Sequence, residues 1–145
     1  MPAIVLVLRL ALGATLIAAG AAKIPHPEQL AAAIAGFRLL APSVTAPLAI
    51  ALPYFEVLVG LYLVIGLFTQ IAAWVACAQF VAYAGAIASA VLRGIPASCG
   101  CFGPADTATA DWPHVGIDLG LALVAGVIAA YAPGALAVDR RLRKT

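Results

Sequence analysis

The densest cluster of reactive side chains in this chain is Ser98-Cys99-Gly100-Cys101-Phe102-Gly103-Pro104, which holds two of its three cysteines with one glycine between them. Residues two apart in an extended chain lie near the top of the Cα separation that a disulfide accepts, about 4.4–6.8 Å. A turn at the middle residue shortens that distance, and glycine is the residue best able to take the unusual φ and ψ required. A Cys99–Cys101 disulfide is therefore feasible but strained. Strain makes such a bond easier to reduce and a better oxidant. The chemistry this spacing suits is thiol–disulfide exchange: one thiolate attacks, or is attacked by, a partner's sulfur, and the other cysteine resolves the mixed disulfide. Two further readings stay open. Cys99 and Cys101 with His26 and His114 would make a soft sulfur–nitrogen metal set, although both histidines are distant in sequence. A purely structural disulfide would clip only a tiny loop and constrain the unfolded chain little.

The elements that must position this motif follow from composition. Of 145 residues, 65% are hydrophobic and 10% charged, with mean hydropathy +1.10. A soluble domain carries about 25% charged residues, so too few charges are present to cover a water-facing surface. This is the composition of an integral membrane protein, with the lipid bilayer as its first partner. The net charge of +2 gives no basis for nucleic-acid binding. The length suits one small bundle.

A bilayer core of about 30 Å needs about 20 apolar residues per helix. Four windows qualify, at roughly 3–22, 45–67, 71–92 and 115–131. Residues 10–19 resemble the core of a signal peptide and Ala19-Gly20-Ala21 its cleavage site. No basic residue precedes that run except Arg9, which lies inside it, so it reads as a retained span. Between the first two spans, Pro27 and Glu28 suit a helix first turn. Leu30, Ile34, Phe37 and Ala41 then recur at helical spacing, which predicts a short helix lying in the interface. The expected fold is an all-α four-helix membrane bundle with that interfacial helix in its first outer loop. Residues 93–113 form the second long loop and carry the cysteines.

Orientation follows from charge. Arg140, Arg141, Arg143 and Lys144 lie beyond the last span, so the C-terminus should be cytoplasmic. Four spans then put the N-terminus on the same side and both long loops on the outer, periplasmic or extracellular, face of the cell (inner) membrane. That compartment is oxidising and permits disulfide chemistry. Phe102 would anchor its loop at the headgroups and hold Cys101 nearer the bilayer, leaving Cys99 to face the partner. Cys77, about 25–30 Å away by helical rise, cannot join the motif and reads as a buried apolar residue.

Charges within the spans are costly and should face the bundle interior. Arg9 and Glu56 lie at comparable depth, within about two helical turns, and are expected to pair. Asp118 lies about one and a half turns into the fourth span, where it could meet Lys23 or act on the cysteines. A carboxylate near a thiol could accept its proton, whereas Arg93 would favour the thiolate.

The string Cys99-Gly100-Cys101-Phe102-Gly103 resembles the hallmark of the MauE family, the methylamine-utilisation membrane proteins grouped with DoxX-like proteins. Further similarity lies in Arg9-Leu10-x-Leu12-Gly13, in Gly20-Ala21-Ala22-Lys23, in Pro53-x-x-Glu56-x-x-x-Gly60-Leu61-x-Leu63 and in Asp118. The resemblance implies a membrane thiol–disulfide oxidoreductase with a redox-active Cys99–Cys101 disulfide. Its partner would be a thioredoxin-like protein on the outer face, and the pair would assist disulfide formation in a disulfide-rich exported protein. Kinship with DsbB and the vitamin K epoxide reductases would bring a quinone as cofactor, but this chain lacks the second cysteine pair of those enzymes. The competing class is a non-catalytic membrane scaffold or metal-binding assembly factor.

Overall fold

The computed structural model describes residues 2–100, 108–132 and 134–139. It is all-α, with helices α1 (Pro2–Lys23), α2 (Pro27–Gly36), α3 (Pro42–Ile65), α4 (Thr69–Leu92) and α5 (Trp112–Tyr131). All but α2 are long and apolar enough to cross a membrane. The short α2 lies between the first two of them, as its spacing of apolar residues predicts.

Helix ends depart from the apolar windows for local reasons. Helix α3 starts three residues early because Pro42 sits in its first turn, where a missing N–H costs nothing. It stops at Ile65 because Gly66, at φ +78°, takes the left-handed C-cap and donates its N–H to the Tyr62 carbonyl. Helix α5 starts at Trp112 because Asp111 caps it, accepting from the His114 N–H at 3.1 Å. Helix α4 is capped from far away in sequence: the Asp139 carboxylate accepts from the N–H groups of Phe68 and Thr69, both at 2.8 Å.

The most extensive packing is between α1 and α3 and between α4 and α5. The first pair is antiparallel and very close. A Cβ on Gly13 would lie 2.8 Å from the Gly60 carbonyl oxygen, and one on Gly60 would lie 2.7 Å from that of Gly13. Gly20 meets Pro53 and Val57 in the same way, at 2.6 and 2.8 Å. In lipid, where burial gives no drive between apolar helices, such close backbone packing is what holds them together. The outward faces are apolar: Val7, Ile50, Ile71 and Leu123 are each more than half exposed. Water would penalise that surface, and hydrocarbon would not.

One end of the bundle gathers Lys23, α2, the start of α3, the end of α4 and the start of α5. This cysteine end also carries residues 93–100 and 108–111. The opposite end holds Gly66 and the segment 134–139, where Asp139 donates its N–H to the Gly66 carbonyl at 3.0 Å.

Candidate functional site

Ahead of the cysteines the chain is pinned. Ser98 and Thr109 form an antiparallel bridge. Cys99 donates its N–H to the Ala108 carbonyl at 3.0 Å, and Ala110 donates to Ala97 at 2.8 Å. These bonds join residues 97–99 to residues 108–110. Cys99 is half-buried and packs on a cluster of Ala84, Ile87 and Val115. Gly100 is buried and takes φ +61°, the left-handed turn its position between two cysteines calls for. It lies against α2, where an added Cβ would stand 3.2 Å from that of Ala33. Cys101 and Phe102 fall outside the described residues, and so do the predicted anchoring by Phe102 and the geometry of a Cys99–Cys101 pair.

Cys99 and Gly100 border a largely apolar cavity of about 330 Å³. Leu30 and Ile34 of α2, with Phe37 just past its end, form one wall, so three residues of the apolar stripe that predicts an interfacial helix face this space. Leu48 and Leu52 of α3 and Ala86 and Ile87 of α4 supply the others, and Lys23 and Tyr83 are its polar lining. Arg93, the residue expected to favour the thiolate, ties the end of α4 to the residue after α2. Its guanidinium donates to the Phe37 carbonyl and, through Nε, to the carbonyl and hydroxyl of Ser89, both at 3.1 Å.

Beside that cavity lies a buried polar cluster. The Glu56 carboxylate accepts from Lys23 Nζ at 2.9 and 3.0 Å, from Gln79 Nε2 at 3.0 Å and from the Tyr83 hydroxyl. Gln79 Nε2 also donates to the Tyr83 oxygen at 2.9 Å, and Lys23 Nζ lies 5.7 Å from the centre of the Tyr83 ring. Lys23 and Glu56 are 3% and 1% exposed, so both charges are out of water and compensate each other.

The expected Arg9–Glu56 pair is corrected here: Glu56 pairs with Lys23. The glycine seam explains why. Gly20 sits between Pro53 and Val57, and Gly60 between Gly13 and Ile17. This register puts Glu56 level with Gly20, one turn from Lys23, and roughly 15 Å along the axis from Arg9. The Lys23 side chain tilts back toward the start of its own helix, into the bundle. Arg9 is equally buried, but its guanidinium lies at the opposite end against Gly66, where Asp139 supplies the opposing charge.

Asp118 is 6% exposed and shares a cavity with Lys23, whose ion pair is with Glu56. This cavity, of about 190 Å³, is also lined by Glu56, Tyr83 and His114. His114 bonds to Asp111 through its ring nitrogen, and those bonds hold the Asp111 carboxyl below its ordinary range. His26 immediately precedes α2 as its N-cap residue. Among the described residues no three His, Cys, Asp or Glu side chains gather as a metal set. Cys77 is a free thiol packed against the main core.

Sequence reasoning passed over Gln79 and Tyr83. The available signal was their spacing: two hydrogen-bonding side chains four residues apart in an apolar helix share one face. In hydrocarbon that face must turn inward toward partners.

A family model described as methylamine utilisation protein MauE matches residues 1–132. No curated protein and no solved structure matches the chain.

Proposed function

The chain belongs to the MauE family of membrane proteins, and we propose that it exchanges disulfides with a thioredoxin-like protein, through Cys99 and Cys101. The observation that carries this reading is the setting of Cys99. It stands at the end of a hydrogen-bonded bridge, before a glycine at φ +61°, at the rim of an apolar cavity. This setting holds the Cys99 sulfur at a fixed place, and the exchange reading assigns the second sulfur to Cys101.

The exchange balances as follows. A partner thiolate attacks one sulfur of the Cys99–Cys101 disulfide, forms a mixed disulfide and expels the other cysteine as a thiolate. The partner's second thiolate then attacks the mixed disulfide and leaves with its own disulfide, so two electrons pass to this chain. The reverse sequence oxidises the chain and reduces the partner. The basic residues at 140, 141, 143 and 144 favour a cytoplasmic C-terminus. With four spans the cysteine end then faces the periplasm, where the partner would serve disulfide formation in exported proteins.

The cavity residues fit a quinone. Its walls are apolar, and Lys23, which uses two contacts on Glu56, has a third proton to donate. Lys23 would hold a ring oxygen, and the bound group would supply a two-electron acceptor for the dithiol.

The test is trapping. Cys99→Ser and Cys101→Ser variants, each left with one thiol of the motif, are incubated with a thioredoxin-like protein in its disulfide form and resolved on non-reducing gels; the thiolate attacks that disulfide and expels one partner thiolate. One variant should accumulate a mixed disulfide that reductant removes. Absence of any adduct from both variants would end the exchange reading.

A further inference from the structure

We infer that Asp118 is a proton-carrying group in a water-holding cavity, which links the His114 end of α5 to the buried Lys23–Glu56–Tyr83 cluster. Three observations converge on this. First, Asp118 is 94% buried by its 6% exposure, and its Oδ2 has no hydrogen-bond partner among the described residues. A buried carboxyl oxygen without a donor is costly; water or a proton removes that cost. Second, Asp118 lines a cavity of about 190 Å³, room for several waters at about 30 Å³ each. Its walls carry a titratable or charged group from every helix that bounds it: Lys23 of α1, Glu56 of α3, Tyr83 of α4, and His114 with Asp118 of α5. Third, the cavity has an outer and an inner neighbour. His114 lies one turn before Asp118 on the same face of α5, and its side chain is 25% exposed beside the 48% exposed Asp111. At the other side, Lys23 and Tyr83 line both this cavity and the apolar cavity bordered by Cys99.

The proton would therefore enter from solvent at Asp111 and His114, pass by water to Asp118, and reach the Lys23–Glu56–Tyr83 wall. In the reverse direction the same groups carry it out. No electron moves in this step: a proton leaves one oxygen or nitrogen and joins the next. The site stands without the cysteine chemistry. If that chemistry holds, the route also gives a dithiol's protons a way to solvent.

Infrared difference spectroscopy of the full chain in lipid nanodiscs tests this, with pH steps in light and heavy water. The chain should show a protonated-carboxyl C=O band that grows as pH falls and shifts within the mixing time in heavy water. Asp118→Asn should lose the band, and Asp118→Glu should move it. His114→Ala should keep it but slow its exchange several-fold. A Cys99→Ser/Cys101→Ser double variant should keep both the band and its exchange rate, which separates this test from the thiol reading. The proposal is overturned by a band that survives in Asp118→Asn, by the lack of any such band in the unmodified chain, by failure of the band to exchange, or by an unchanged exchange rate in His114→Ala.

Discussion

Lys23 and Glu56 hold each other at 2.9 and 3.0 Å, the last residue of one helix reaching the middle of its antiparallel neighbour. Both are almost wholly buried, and the carboxylate is completed by Gln79 and Tyr83. Removing one partner leaves a charge in a low-dielectric interior, which costs about 3–5 kcal/mol. Lys23→Met should therefore destabilise the bundle by that amount. The double variant Lys23→Met/Glu56→Leu should recover much of the loss, because the uncompensated charge is gone. Equilibrium unfolding in mixed micelles, arranged as a double-mutant cycle, reads the coupling. Additive losses would mean that the two groups do not act as a pair.

The architecture was legible because lipid imposes a crude rule: four apolar stretches of bilayer length, polar links between them, and a Pro-headed amphipathic segment in the first link. Individual helix starts were less legible. They depend on Pro42 in a first turn, on Asp111 as a cap and on Asp139 capping α4 from the far end of the chain. The left-handed turn at Gly100 could be read from its position between two cysteines. The partner of Glu56 could not be read from depth alone. A span's outermost lysine looks like a headgroup anchor in sequence. Only the glycine register of α1 against α3, together with the inward tilt of that side chain, shows that it turns into the bundle.

The α1–α3 seam predicts opposite outcomes for chemically identical substitutions. A methyl at Gly13 would sit 2.8 Å from the Gly60 carbonyl oxygen and from a Val64 methyl, whereas one at Gly116 meets nothing within 4 Å. Alanine gains about 1 kcal/mol over glycine in a helix interior, and overpacking a tight contact costs about 1–3 kcal/mol. Gly116→Ala should be neutral to stabilising, and Gly13→Ala destabilising. Unfolding midpoints of the two variants, measured in the same lipid mixture, check the sign of each.

Gly100 and Gly94 separate backbone strain from packing at the cysteine end. Both hold a left-handed φ, +61° and +64°. Only Gly100 has a neighbour for an added methyl, Ala33 of α2 at 3.2 Å. An L-residue in that conformation costs about 1–2 kcal/mol, so each alanine variant carries that much strain. Gly100→Ala must also move residue 100 or Ala33 by a few tenths of an ångström. Its exchange rate with a dithiol protein should fall well below that of Gly94→Ala. Equal rates in the two variants would show that the seating of Gly100 on α2 does not matter to the thiols.

Asp111 gives the cysteine end a pH dependence whose sign follows from its bonds. Its carboxylate accepts from the His114 N–H at 3.1 Å and bonds the His114 ring nitrogen. These contacts hold its titration below the ordinary value of 3.8. A carboxyl lowered in the folded state binds its proton more weakly there than in the unfolded chain, so acid favours unfolding. The cap's contribution is complete above the ordinary value and is lost as pH falls through the lowered one. Hydrogen exchange at the first turn of α5, followed from neutral pH into acid, should show protection of the His114 amide declining in that window. In Asp111→Asn, which has no charge to lose, the decline should vanish. An amide whose protection ignores pH in the unmodified chain would mean that this cap does not govern the entry to α5.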